Sequence, residues 1–335
     1  MATRTRYAPD RGLSVRMSVT VFLLGLVFVA FVAALIGILA LTHTSAGAII
    51  VIALIFGGGS AWISLFYSDK IALAAAGARE VSPQDAPQLH AIVDRLCALA
   101  DMDKPRVAIA PTRMPNAFAT GRNSKNSVLC VTDGLLGLGL TTEELEGVLA
   151  HELSHVAHKD VQVMTVASLL AIVAGLLVRF AFYSEIFGGG RRGGGNNGNA
   201  ALLIPLIMLV SIVVYAISFL LIRVLSRYRE LAADRSGALL TQNPSALISA
   251  LSKVSGSMNR VPTQDLRSAE PLNAFYFAPA MKMIGGKDGG RGGNGGGFSL
   301  SALFSTHPSL DKRIEQLTKI QRELGEVGPG PRGLR

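Results

Sequence analysis

TTEELEGVLAHELSH, residues 141–155, reads as the opening and body of one helix. Thr141 and Glu144 stand at capping-box spacing, and Glu143 favours the positive end of the helix dipole. The helix carries His151 and His155 one turn apart, on one face, so both imidazoles reach a single cation; neutral imidazole is a good ligand for zinc. Glu152 sits beside the first histidine, where its carboxylate can take a proton from an activated water and hand it to a leaving amine. With six histidines in 335 residues, chance produces this His-Glu-x-x-His spacing in roughly one chain per few hundred.

A catalytic zinc needs a third protein ligand and one open position. His158 is close in number but turns away from the pair and reads as a supporting or surface residue. The pattern His-Glu-x-x-His-x-x-Gly-x-x-His is absent, since His158 and Val161 occupy the places of its glycine and third histidine. A distant carboxylate is therefore expected.

Past Asp160 the chain is apolar from Val161 to Val178, and uncharged again from Ala200 to Ile222. These runs read as a helical hairpin. The Gly-rich loop between them holds Arg191 and Arg192, which on the far side of a membrane would run against the positive-inside tendency, so a partly inserted hairpin stays open beside a spanning one. A charged helical segment follows, Ser226 to Asp234, with Glu230 and Asp234 one turn apart. Packed against the histidine helix, Glu230 can complete the metal site and Asp234 can fix an imidazole tautomer; the alternative is a surface ion pair with Arg227 or Arg229. At about 1.5 Å per residue, His155 lies roughly 10 Å before one apolar run and Glu230 roughly 12 Å after the other, at similar height above the membrane.

Two further apolar stretches open the chain, Met17 to Leu41 and Ala46 to Tyr67, each long enough for a bilayer span. A cleavable signal peptide fits poorly, because the first stretch exceeds an h-region and a second span follows at once. Arg4, Arg6, Arg11 and Arg16 precede the first, the turn at His43 lacks Lys and Arg, and Lys70 and Arg79 follow the second, which places the N-terminus and the later domain in the cytosol. The composition agrees: 50% hydrophobic residues and a mean hydropathy of +0.41 are too apolar for a typical soluble enzyme. The formal charge of +9 reads mainly as topology signalling. Cys97 and Cys130 stand far apart, so neither a disulfide scaffold nor a thiolate zinc site is indicated.

From Val81 to His158 the character is that of a soluble domain. Pro87 to Ala100 has apolar residues at helical spacing, and Arg106 to Ala110 and Ser127 to Thr132 read as short strands. Between them Asn116-Ala117-Phe118-Ala119-Thr120-Gly121 is an extended run suited to an edge strand.

The chain resembles the HtpX family of membrane zinc metallopeptidases, gluzincins related to the CAAX prenyl proteases. The matching features are His151 to His155, Arg229-Glu230 to Asp234, Asn116 to Ala119, and Thr306-His307-Pro308 with Arg313-Ile314; with the four apolar runs they cover nearly the whole chain. The resemblance implies one zinc per chain, held by His151, His155 and Glu230, with Glu152 as general base. It implies that His307 and Arg313 support the tetrahedral intermediate, and that Asn116, Ala117, Phe118 and Ala119 hold the substrate backbone. It further implies an endopeptidase of stress response and protein quality control in the bacterial inner membrane, its site facing the cytosol and its substrates misfolded membrane proteins. Taken alone, His307 before a proline reads as a turn residue and Arg313 as a solvated residue on a closing amphipathic helix of Leu310, Ile314 and Leu317.

The expected fold is a mainly α membrane protein with a cytosolic α+β zincin-like domain carrying a small β-sheet. Its expected layout is a cytosolic segment at 1–16, a transmembrane hairpin at 17–67, a first cytosolic part at 68–160, a second apolar hairpin at 161–222, and a second cytosolic part at 223–335 with a Gly-rich linker at 285–297. Gly188 to Gly198 reads as another linker. A nucleic-acid role for Gly289 to Gly293 lacks the aromatic residues that stacking needs. Two other functions stay in view: a peptidase trimming prenylated C-termini, which needs a large lipid chamber, and a zinc-stabilised adaptor or holdase, which has no need of Glu152.

Overall fold

The computed structural model describes residues 11–42, 47–187, 203–258 and 308–326, and the chain divides into two compact units. Both linkers named above and His307 lie outside the described residues.

One unit comprises Val15–Leu65 and Gln162–Leu225. It is built from α1 (Arg11–Thr42), the first part of α2 (Gly47–Ala76), α6 (Asp160–Phe187) and the apolar part of α7 (Leu203–Thr241). Among the described residues, three helices are long and apolar enough to cross a membrane, over Arg11–Ile38, Asp160–Tyr183 and Ile204–Thr241. Phe31 and Leu35 of α1 pack with Leu170, Val173 and Leu177 of α6 and Val214 of α7. Phe22, Leu26, Val29, Leu209 and Val213 stay exposed on these helices, which suits a surface solvated by lipid, where each helix satisfies its own backbone.

The other unit comprises Met1–Ser14, Phe66–Val161 and Ser226–Arg335. Its sheet has the order β1-β2-β4-β3, from β1 (Arg79–Glu80), β2 (Arg106–Ala110), β3 (Ala117–Gly121) and β4 (Ser127–Thr132). β4 is parallel to β2 and antiparallel to β3, which among the described residues leaves β3 at the edge. Strand alternation sorts the two faces. Val107, Ala117, Leu129 and Val131 turn toward α3 (Pro87–Ala100) and α5 (Thr142–Ala157), and Ala108, Ala110, Phe118, Val128 and Cys130 turn toward Ala72 of α2.

That second contact explains where α2 ends. The apolar run stops before Asp69 and Lys70, yet the helix continues to Ala76, because Ala72 packs under the sheet and Arg106 of β2 pairs with Asp69.

The short α4 (Asp133–Leu136) follows β4, and α5 is anchored at both flanks. Thr141 and Glu144 form a reciprocal capping box, and the same Glu144 accepts from Ser249 at 2.5 Å and from Lys253 at 2.7 Å, both on α8 (Pro244–Met258). Burial alone would raise the Glu144 carboxyl, but these bonds outweigh it and hold the group below its ordinary range. Glycines let the neighbours come close: a Cβ on Gly147 would stand 3.3 Å from Leu247 of α8, and one on Gly237 of α7 would stand 2.9 Å from the His151 backbone nitrogen. The closing helix, α9 (Leu310–Glu326), buries Leu317 and Ile320 in the same core.

Gly237→Ala therefore sets about 1 kcal/mol of gained helix propensity against an overpacking cost of about 1–3 kcal/mol, with rigid backbone as the obstacle. The expected result is a lower thermal midpoint for the detergent-purified protein, and a raised midpoint would show that α7 and α5 are not in the close contact described.

Candidate metal centre

The site lies where α5, α6, α7 and α9 meet around one pair of rings. His151 and His155, one turn apart on α5, bring their Nε2 atoms within 3.3 Å of each other. Glu230, on α7, completes the group, its oxygens 3.8 Å from His151 Nε2 and 3.6 Å from His155 Nε2. The three side chains offer ligand atoms that all lie within 4.8 Å of one another.

The other ring nitrogens show what this group is suited to hold. His151 Nδ1 lies 2.9 Å from Asp234 Oδ1, and His155 Nδ1 lies 2.5 Å from Asp160 Oδ2. An ionised carboxylate only accepts, so each Nδ1 donates and each Nε2 becomes an acceptor. Two imidazole acceptors and a carboxylate thus converge. A cation is the group they can share, and zinc with ligands at about 2.0–2.1 Å in a tetrahedron would set them about 3.3–3.4 Å apart. The residues fit such an ion. Burial also pushes His151 down to about 4, against the pull of Asp234, which keeps the ring neutral as a metal ligand must be.

Asp234 is itself gripped. Arg313 on α9 donates from Nε to Oδ2 at 2.7 Å and from Nη2 to Oδ1 at 2.6 Å, and its Nη2 stands 3.5 Å from His151 Nδ1. The two residues are 0% and 2% exposed. Burial would raise the Asp234 carboxyl, but the guanidinium and the His151 bond overcome it, and the group stays ionised below its ordinary range. Arg313, which its own helix pattern suggests is solvated, is instead buried by this fork.

Glu152 stands behind the first histidine, 4% exposed. Burial first, and the neighbouring Glu230 carboxylate second, push its carboxyl well above the ordinary range. Its Oε2 accepts from the Ala119 N–H of the edge strand at 3.2 Å, so the backbone donor of β3 and the candidate base already face each other. Asn116 pins the start of that strand: its N–H donates to Thr132 Oγ1 at 2.8 Å and its carbonyl accepts from Thr132 N at 3.0 Å. Phe118 turns its side chain under the sheet, leaving Ala117 and Ala119 on the α5 side.

His158 caps the end of α5 and meets Ser236 Oγ at 3.4 Å, outside the three-ligand group. Burial pushes Cys97 up to about 11 and Cys130 up to about 12, so neither offers a thiolate at neutral pH. The residue that the sequence does not flag is Asp160. It reads as the last polar position before an apolar run, and only its place five residues after His155 hints at a role.

A histidine pair one turn apart with a buried glutamate beside it is the arrangement of a metallopeptidase, and comparison with known proteins gives the same class. The profile of peptidase family M48 matches residues 83–321. Protease HtpX homolog 1 of Streptomyces coelicolor is 54% identical over 328 residues, covering 98% of this chain and 99% of that one. Protease HtpX homolog of Moorella thermoacetica is 47% identical, covering 96% and 99%. The crystal structure of S. mikatae Ste24p shares the fold, with a TM-score of 0.50 at 16% identity over 90% of this chain and 67% of that one. The chain belongs to peptidase family M48, and within it to the HtpX proteases. It is a membrane metalloprotease, mainly α-helical with a small mixed sheet.

Removing one member of the Asp234–Arg313 pair leaves a buried charge alone, which costs about 3–5 kcal/mol, whereas removing both does not. Asp234→Ala should lower the thermal midpoint of the metal-stripped protein far more than Asp234→Ala combined with Arg313→Met. Equal losses in the two would mean that the pair is not buried as described.

Proposed function

We propose that the chain is a zinc endopeptidase of the plasma membrane that faces the cytosol and cleaves unfolded or misfolded membrane proteins, with His151, His155 and Glu230 holding one zinc and Glu152 acting as general base. One observation carries this reading: three acceptors converge on a common point, and a buried carboxylate beside them faces the backbone of an edge strand.

When bound, zinc supplies Lewis acidity and lowers the pKa of a water molecule. The chain's own residues account for the rest. Glu152, buried next to the histidine pair, takes the proton of the attacking water and delivers it to the leaving nitrogen; its raised affinity for a proton suits it to the first of these transfers. The edge of β3 pairs with an extended peptide through its outward backbone groups, of which the Ala119 N–H is one. Pairing of this kind demands a substrate without folded structure, which supports damaged proteins as the substrate class. Asp234 fixes the His151 ring, and Arg313 holds Asp234 while adding positive potential beside the site. His307 is assigned with Arg313 to the developing oxyanion.

A site kept only for stability has no need of a general base, and the burial of Glu152 next to β3 therefore supports an enzyme over an adaptor. The cytosolic orientation rests on the four arginines before the first apolar run and on Lys70 and Arg79 after the second.

Glu152→Gln should keep one zinc and lower cleavage of an unfolded, membrane-tethered substrate by about 10²–10⁴-fold. Glu230→Ala should lose the metal, and chelation of the wild type should stop cleavage until zinc is restored. Full activity in Glu152→Gln, or unchanged zinc content in Glu230→Ala, would contradict the roles given to these residues.

A further inference from the structure

The second histidine has a support as complete as the first, and its outer member, Arg229, has been given no role so far. We infer that Asp160 and Arg229 form a positioning pair that sets the His155 ring and the Glu230 carboxylate against each other, an inference that rests on the metal site proposed above. Asp160 divides its two oxygens: Oδ2 meets His155 Nδ1 at 2.5 Å, and Oδ1 pairs with Arg229 Nη2. The site thus contains two parallel relays, Arg313 to Asp234 to His151 and Arg229 to Asp160 to His155.

The local chain is bent to produce the second relay. α5 ends at Ala157, His158 caps it, and Lys159 adopts φ of 56°, a left-handed conformation that a lysine rarely takes. That turn begins α6 at Asp160 and brings its carboxylate back over His155, five residues earlier. Arg229 then supplies the third direction. It immediately precedes Glu230 on α7, so an ion pair at Arg229 also fixes where the Glu230 carboxylate stands, 3.6 Å from His155 Nε2.

Burial argues against a merely stabilising bridge. Asp160 is 9% exposed and Arg229 4%, and a buried ion pair seldom outperforms apolar residues of the same size in stability. What such a pair does supply is a fixed tautomer, a fixed ring angle and a more basic ligand. Three helices, α5, α6 and α7, are registered to one another at this carboxylate.

The test uses full-length protein in detergent, stripped and reloaded with cobalt(II), whose visible absorption reports ligand geometry. Asp160→Ala with Arg229→Met removes both charges and leaves neither buried alone. It should bind cobalt about 10–100-fold more weakly by chelator competition, with altered absorption bands. Arg229→Lys, which keeps the charge, should restore most of the affinity relative to Arg229→Met. A folded double variant that binds cobalt within twofold of wild type, with an unchanged spectrum, overturns the inference. Should the double variant not fold, Asp160→Leu with Arg229→Met decides in the same way, since it fills the space and leaves His155 Nδ1 no acceptor. His155→Ala separates the two levels: if it too binds cobalt as wild type does, the metal site itself fails, whereas loss in His155→Ala with retention in the Asp160 variants removes only the positioning pair.

Discussion

Two imidazole nitrogens 3.3 Å apart, each made an acceptor by the carboxylate on its far side, repel one another unless a cation lies between them, and much of the catalytic unit serves to hold them in that arrangement. The histidines are set by one helix, which must therefore be rigid over its whole length. Its start is closed by the Thr141–Glu144 box, its first turn is tied to α8 through Glu144, and its flank is approached closely by α7 at Gly237. The capping box is local, whereas Lys253 and Gly237 reach the helix from distant parts of the chain.

The third ligand candidate comes from a different part of the chain, and its helix does more than deliver it. α7 carries Arg229, Glu230 and Asp234 within a turn and a half, so one rigid element presents a carboxylate to the metal position, another to His151, and a guanidinium to the partner of His155. α9 closes the arrangement by placing Arg313 on Asp234, 79 residues away in sequence. Buried charges are costly unless met, and here Asp234 and Asp160 each meet an arginine and an imidazole N–H, while Glu144 meets Lys253. The candidate base, Glu152, differs: its near neighbours are a backbone N–H and another carboxylate, and burial with that second carboxylate raises its affinity for a proton.

Much of this was legible in the sequence where a local rule governs. The periodicity of Pro87–Ala100 gave α3 with both ends, the capping box gave the start of α5, and the β-branched residues of Arg106–Ala110 and Ser127–Thr132 gave two strands, whose pairing as neighbours only the structure shows. What stayed hidden depends on partners distant in sequence. α2 outruns its apolar stretch because Asp69 meets Arg106, and a charge that ends a hydropathy run does not end a helix when another element answers it. Arg313 looks solvated on its own amphipathic helix until Asp234 is placed beside it. Asp160 was missed for a related reason: it borders an apolar run, so its polarity looked like punctuation, and only the left-handed turn at Lys159 reveals that it points back to His155.

The central claim, that His151, His155 and Glu230 hold one zinc, is tested most directly by X-ray absorption at the zinc edge on the purified full-length protein. The expected result is one zinc per chain in a shell of nitrogen and oxygen donors at about 2.0–2.1 Å, with the multiple-scattering signature of two imidazoles and no sulfur at about 2.3 Å. A sulfur shell, or an oxygen shell without imidazole, would contradict it.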